Sequence, residues 1–271
     1  MPVDYYDENG DPVRMIMSGA MAVGHSMYDH YTVVYGGVDD QGNSLFEALY
    51  DASITDEAGN PVGFNEPYVE EETGLQNYNY ISSLYQYEQE HPNADIRDTM
   101  ITDYSRAASR YIGKSYLPDL SGGLGLNLEV YGVTLDIATS YQIGGYGYDN
   151  TYIYLMNNSN VGNNNWHVDM RNAWTEATND AVHALPIDQQ IPRLSNGLGE
   201  FDQYANAGST RFLTSNSYFS LNSIQLGYNF PKKILDKIKL NRLNLYVSAT
   251  NLAIATARKG YNPMTSFVGS S

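Results

Sequence analysis

The side chains that carry most enzymatic chemistry are few in this sequence, and their spacing suits it poorly. Five histidines, His25, His30, His91, His167 and His183, have no metal-ligand spacing with one another. His25 and His30 lie in a Tyr- and Met-rich stretch and read as polar groups on a surface or lining a lumen. Glu70, Glu71 and Glu72 offer neighbouring carboxylates, as glycoside hydrolysis requires. A run of three acids in a Pro/Gly-rich loop reads instead as solvated. GGLGLN (122–127) and GGYGYD (144–149) are glycine-rich, but no Walker lysine follows either, and no helix pattern follows to receive a phosphate. Their glycines are expected to relieve crowding in a curved sheet. Trp166 and Trp174 could stack on a sugar or pin a small core of their own loop, and the core reading is preferred. The chain has no Cys, hence no thiolate nucleophile, disulfide framework or Cys-based metal site. No catalytic residue, metal ligand or cofactor is assigned, substrate-binding residues stay open, and the chain is read as a non-enzyme.

The elements that would position such side chains are clearer than the side chains themselves. In SGGLGLNLEVYGVTLDIATSYQIGGYGYDN (121–150), Leu124, Leu126, Leu128 and Val130 fall on one face of a strand, and Gly125, Asn127 and Glu129 on the other. Val133, Leu135, Ile137, Tyr141 and Ile143 then alternate with Thr134, Asp136, Ala138, Ser140 and Gln142, and only Thr139 interrupts the apolar set. A two-residue turn at Tyr131-Gly132 pairs Val130 with Val133, so both strands send their apolar sets the same way. Gly132 can supply the φ > 0 such a turn needs. Both runs exceed the usual five or six residues of a globular strand and meet the nine to eleven that a tilted transmembrane strand needs.

The bulk composition narrows the classes further. The formal net charge is -16, which argues against nucleic acid as a partner, because phosphate binding needs clustered cations. Lys232, Lys233, Lys237, Lys239 and Arg242 do cluster, but inside one connection between strands, which reads as a solvated turn or a membrane-surface contact. Tyr occurs 25 times against 7 Phe and 2 Trp. Its apolar ring and polar hydroxyl suit a boundary between two media, such as the aromatic girdles of outer-membrane barrels. No apolar run reaches the roughly 18 residues of a transmembrane helix, and MPVDYYDENGDPVR lacks the basic and apolar regions of a signal peptide.

Along the chain, strands are expected at 13–23, 31–38, 45–50 and 78–87, with a polar loop over 55–74. Residues 147–211 read as a long loop rich in Asn and Gly, with a short helix over 166–181. Ile224, Leu226, Tyr228 and Phe230 alternate with polar partners until Pro231, and Leu243, Leu245, Val247 and Ala249 do so after KKILDKIKLNR. Connections are thus short or moderate at one set of strand ends and very long at the other, as in outer-membrane barrels.

Several segments form a pattern: Ile112-Gly113, Ser115, Pro118 and Gly122-Gly123; Gln142-Ile143-Gly144-Gly145; Ser217-Tyr218, Leu226-Gly227-Tyr228, Pro231 and Asn251-Leu252; Lys259 to Pro263; VVYGGVDDQGNSLFEALYD; and Ile191-Pro192-Arg193-Leu194. Together they resemble SusC/RagA-like TonB-dependent outer-membrane transporters of Bacteroidetes. One extra residue between Ser115 and Pro118 departs from the family's pattern. The resemblance runs over roughly residues 30–263 and rests on shared order and spacing rather than on any one motif.

The resemblance implies an all-β fold: a partial transmembrane antiparallel β-barrel, part of a plugged barrel of about 22 strands, with long extracellular loops. Residues 1–271 would be a C-terminal portion of that barrel, without signal peptide, plug or final strand. The implied function is TonB-dependent import of nutrients, oligosaccharides first and peptides second, across the cell outer membrane. The implied partners are a SusD-like surface lipoprotein, the TonB complex through the plug region, outer-membrane lipid and the cargo itself. Odd positions 125–129, even positions 134–142 and odd positions 223–229 would face the lumen, and residues 147–211 would meet cargo or lipoprotein. The alternative is a secreted or surface glycan-binding β-sandwich with no transport role, and a glycoside hydrolase is a third reading.

Overall fold

The Tyr131-Gly132 turn sets the register of the longest strands. Both residues have positive φ, 50° and 85°, the mirror-image turn whose twist matches that of the flanking strands. Gly132 is required twice over, because a Cβ there would lie 2.6 Å from the Asn229 carbonyl oxygen. Val130 pairs with Val133 as the sequence predicts, and the ladder runs back to Leu120 opposite Ile143.

In this computed structural model the described residues are 5–6, 12–16, 19–22, 24–64, 68–69, 74, 76–157, 165–194 and 208–259. The chain divides into two units. One comprises Met1–Ser115 and Tyr148–Leu213, the other Tyr116–Gly147 and Thr214–Ser271.

The first unit is built from short strands. β1 (Asp29–Val33) pairs with β5 (Ser109–Ser115), and β2 (Tyr35–Val38), β3 (Ser44–Asp51) and β4 (Ile96–Ile101) form a three-stranded antiparallel sheet in the order β2-β3-β4. The single strand expected over 13–23 is instead a pair of short antiparallel strands, Pro12–Ile16 and Gly19–Met21, and Tyr5–Tyr6 pairs with the first of them. Apolar side chains gather in separate small cores. Val33, Tyr35, Phe46 and Ala107 form one, and Leu49, Ile81 and Ala108 another. Met156, Met170, Ala173, Ile191 and Phe212 form the third, with Trp166 packed against it.

Two local expectations fail here. The strand expected over 78–87 is replaced by α1 (Leu84–Glu90). The alternating tyrosines suggest period two, but Leu84 and Tyr87, three apart, turn together onto the Leu49 core. The helix expected over 166–181 is broken into 3-10 turns at Val168–Asn172 and Glu176–Thr178 before an α-helical turn at Asn179–His183. Ala173 is drawn into the core and the Trp174 amide donates to the Ile191 carbonyl, which interrupts the helical ladder.

The second unit is a four-stranded antiparallel meander. β6 (Pro118–Val130), β7 (Val133–Gly144), β8 (Tyr218–Asn229) and β9 (Asn244–Thr256) lie in that order, each 12 or 13 residues long. Phe230 donates its amide to Leu243, closing the far side of a connection that contains the helical turn Lys232–Leu235. One level of the sheet is irregular. Opposite the single residue Ala138 of β7, β8 carries Asn222 and Ser223, and β9 carries three residues, Thr250 to Leu252. Asn251 takes the left-handed conformation there, φ 54°. Such bulges bend a strand and add twist, as a closing sheet needs.

Candidate functional site

The distinctive surface of this protein is the pair of faces on β6 to β9. Cross-strand register assembles the apolar positions into rows. Leu128, Leu135, Leu226 and Val247 make one row, and Leu126, Ile137, Ile224 and Ala249 the next. Toward the short turn the adjacent row is Val130, Val133, Tyr228 and Leu245, with Phe230 edge-on to Tyr228 at 4.9 Å and Tyr131 beyond it. Toward the other end the row is Gly122, Tyr141, Phe219 and Ala255. The Tyr141 ring lies over Gly122, where a Cβ would meet its hydroxyl at 2.9 Å. Aliphatic rows thus run between aromatic ones.

These side chains are not covered: Leu124 is 64% exposed, Leu226 55% and Val247 75%. Leu120 to Val130 spans ten residue steps. That is about 33 Å of strand, and about 25 Å of height at the ~40° tilt of a barrel strand. That height belongs to the apolar face as a whole, its bordering aromatic rows included, and is of the order of the apolar band of an outer-membrane barrel.

The opposite face is mainly polar and internally bonded, with Tyr246 and Ile254 its exposed apolar members. Asn127, Asp136, Gln225 and Ser248 share a row, and Asn127 donates to the Asp136 carboxylate. Asn244 donates to the Asn229 side-chain oxygen at 2.7 Å, and Asn229 donates to Glu129 at 3.2 Å. The polar positions read from the sequence at 125–129, 134–142 and 223–229 therefore do share one face. Sequence alone missed the bulge at Asn222, beyond which the apolar parity of β8 changes from even to odd, so that Leu221 and Phe219 rejoin the apolar face. The positive φ of Asn251 is compatible with its residue type, since Asn tolerates that conformation, but the pattern of apolar residues gave no sign of it.

In the other unit the titratable groups serve structure. Burial pushes the Asp51 carboxyl up, but Ser53, Tyr87 and the Asp95 amide all donate to it and hold it below the usual carboxylate range. Burial, then the bond to Asp51, raises the Tyr87 phenol above its ordinary range. Burial and the Asp169 carboxylate do the same to Tyr152. Arg110 forms a two-pronged pair with Glu47 at 2.5 and 3.1 Å, which raises the guanidinium further.

The sequence-predicted polar candidates disperse. His25 stacks on Tyr111 at 3.6 Å, while His30 is fully buried, edge-on to Tyr148 at 6.0 Å, rather than lining a surface. His167 accepts from the Asp169 amide, and His91 caps α1. No group of three metal-ligating side chains occurs among the described residues. Glu70 to Glu72 lie outside the described residues. Trp166 packs on the Met156 core, and Trp174 lies against Gly42 with its indole donating to Asn179 at 2.9 Å. Contrary to the sequence reading, a short helix (Asn150–Leu155) does follow GGYGYD. Its N-terminus is already taken by the chain's own anion, since the buried Asp149 carboxylate accepts from the Tyr152 amide. Ile191 and Pro192 of the IPRL segment are buried, and the Arg193 amide donates to the Gly42 carbonyl.

No protein-family profile and no curated protein sequence matches this chain. Among solved structures it superposes on a chain of the RagAB peptide transporter with a TM-score of 0.59 and 20% identity, over 93% of this chain and 23% of that one. For the RagAB peptide importer in its closed-closed state the TM-score is 0.57 at 20% identity, over 93% and 23%. For the open-open state it is 0.57 at 20%, over 92% and 21%. The chain spans less than a quarter of the solved chains it matches. The all-β antiparallel fold expected from the sequence is the fold found, and it is similar to that of part of a RagAB chain.

Proposed function

We propose that this chain supplies barrel wall and extracellular loops to a TonB-dependent outer-membrane importer of the SusC/RagA kind. One observation carries the reading. Strands β6 to β9 hold an aliphatic band flanked by aromatic rows on one face and a hydrogen-bonded polar row on the other, with the apolar side chains left exposed. In water that face would drive aggregation. Lipid suits that face, because antiparallel ladders pair the backbone along most of the length of neighbouring strands. The likeness to RagAB chains supports the same reading at the level of fold.

The polar face then lines the lumen, and residues 147–211 meet cargo or the lipoprotein. The cargo is an oligosaccharide or a peptide, the latter being what the RagAB structures are described as transporting. A SusD-like surface lipoprotein closes over the loops, and TonB acts through a plug region. The test is the solvent requirement of the full chain. It should remain monodisperse only in detergent or lipid, and sediment from plain buffer. A chain that stays monodisperse without detergent overturns the reading and puts the glycan-binding sandwich in its place.

A further inference from the structure

The connection between β8 and β9 holds the densest positive charge of an acidic chain. Lys232, Lys233, Lys237, Lys239 and Arg242 are five of its 15 basic residues, while the net charge of the whole is -16. Asp236 is the one carboxylate within the connection. All five cations are exposed.

Exposed aliphatic side chains sit among them. Ile234, Ile238 and Leu240 each keep about half of their surface in solvent. Ile234 and Ile238 are four apart on the helical turns Lys232–Leu235 and Asp236–Ile238, as are Lys233 and Lys237. That spacing lays an apolar stripe beside a cationic one. Leu235 is buried and holds the turn, and Lys239 ends it in the left-handed conformation, φ 56°. A solvated turn has no reason to expose three aliphatic side chains while burying a fourth.

The position of the patch decides what covers it. It lies at the short-turn end of the sheet, where the Asn229 amide donates to Gly132 and the Phe230 amide to Leu243. Phe230 and Leu243 continue the apolar face past the row of Val130, Val133, Tyr228 and Leu245. The aliphatic band therefore ends in aromatic side chains, and then in mixed cations and isoleucines. This is the order of environments through a bilayer from acyl chains to headgroups.

We propose that the 231–243 connection docks on a phospholipid surface carrying anionic headgroups. Ile234, Ile238 and Leu240 enter the acyl boundary, and the lysines reach the phosphates. This rests on the transmembrane reading of β6 to β9, and the experiment separates the two. Because the chain contains no Cys, single Ile238→Cys and Leu126→Cys variants of the full chain take one fluorophore each. Each is mixed with vesicles of phosphatidylcholine and phosphatidylglycerol in which one or the other lipid is brominated.

The expected result is quenching at both sites, with the label at Ile238→Cys quenched preferentially by brominated phosphatidylglycerol. In the Lys232→Gln/Lys233→Gln/Lys237→Gln/Lys239→Gln variant that preference should fall by about tenfold or more. Raising the salt concentration should weaken it as well. Equal quenching by both lipids at Ile238→Cys overturns the anionic preference. Quenching at Leu126→Cys alone overturns the docking and leaves the transmembrane strands standing. Quenching at neither site overturns both.

Discussion

Phe46 in the first unit, the loop unit of residues 1–115 and 148–213, is 1% exposed, and Leu124 in the long sheet is 64% exposed, although both belong to apolar sets of strands. In the loop unit β1 to β5 have four to eight residues and surround small closed cores, the arrangement usual in water. The sheet uses strands of 12 or 13 residues and leaves its apolar rows exposed, as the proposed contact with lipid requires. The tyrosines differ in the same way. Several of those in the loop unit are hydrogen-bonded to other side chains, as Tyr87 to Asp51, Tyr152 to Asp169 and Tyr148 to Thr32. Tyr141 and Tyr228 instead stand in the rows that border the aliphatic band. One chain thus carries two definitions of inside.

Changing Phe46→Ala should break the loop unit hardest, at about 3–5 kcal/mol, because a fully buried ring leaves a cavity. Hydrogen exchange at the Ala48 and Leu49 amides would report it, and unchanged protection would mean that this core is not packed. Next comes Leu135→Arg in the central row of the sheet, expected to cost about 2–4 kcal/mol in urea unfolding from vesicles. The same substitution at Gln225, whose side chain lies on the opposite face, should cost much less. Equal losses at the two positions would erase the distinction between the faces.

Asp51→Ala strips an acceptor from Tyr87, Ser53 and the Asp95 amide, for about 1–3 kcal/mol. The pH dependence follows from the direction of its shift. The folded carboxyl titrates lower than the unfolded one. Its stabilisation is therefore fully present above an unfolded pKa of about 3.9 and disappears as the pH falls through the folded value. A loss of loop-unit stability between pH 5 and 7 that Asp51→Ala abolishes would contradict this assignment. The smallest effect is expected for Gly132→Val, about 1–2 kcal/mol, since φ 85° and the near Asn229 carbonyl both oppose a β-branched side chain. Its readout is the refolding yield of the hairpin in detergent.

The sequence by itself determined the long strands, the turn between Val130 and Val133, and which residues share a face on the short-turn side of the bulge at Asn222. Those features are local, and period-two alternation with a fixed turn leaves only one register that keeps the faces separate. It also placed Trp166 in a core of its own loop. Only the tertiary structure decided the rest. The bulge at Asn222 depends on how β8 meets both β7 and β9, which no single strand's pattern records. Tyr78 to Tyr87 alternates like a strand, yet the Leu49 core takes Leu84 and Tyr87 from one side of a helix. His30 is polar and still fully buried, because its neighbours arrive from Tyr148, far along the chain. Alternation is written in the chain, whereas burial in the loop unit is the outcome of contacts between residues distant in sequence.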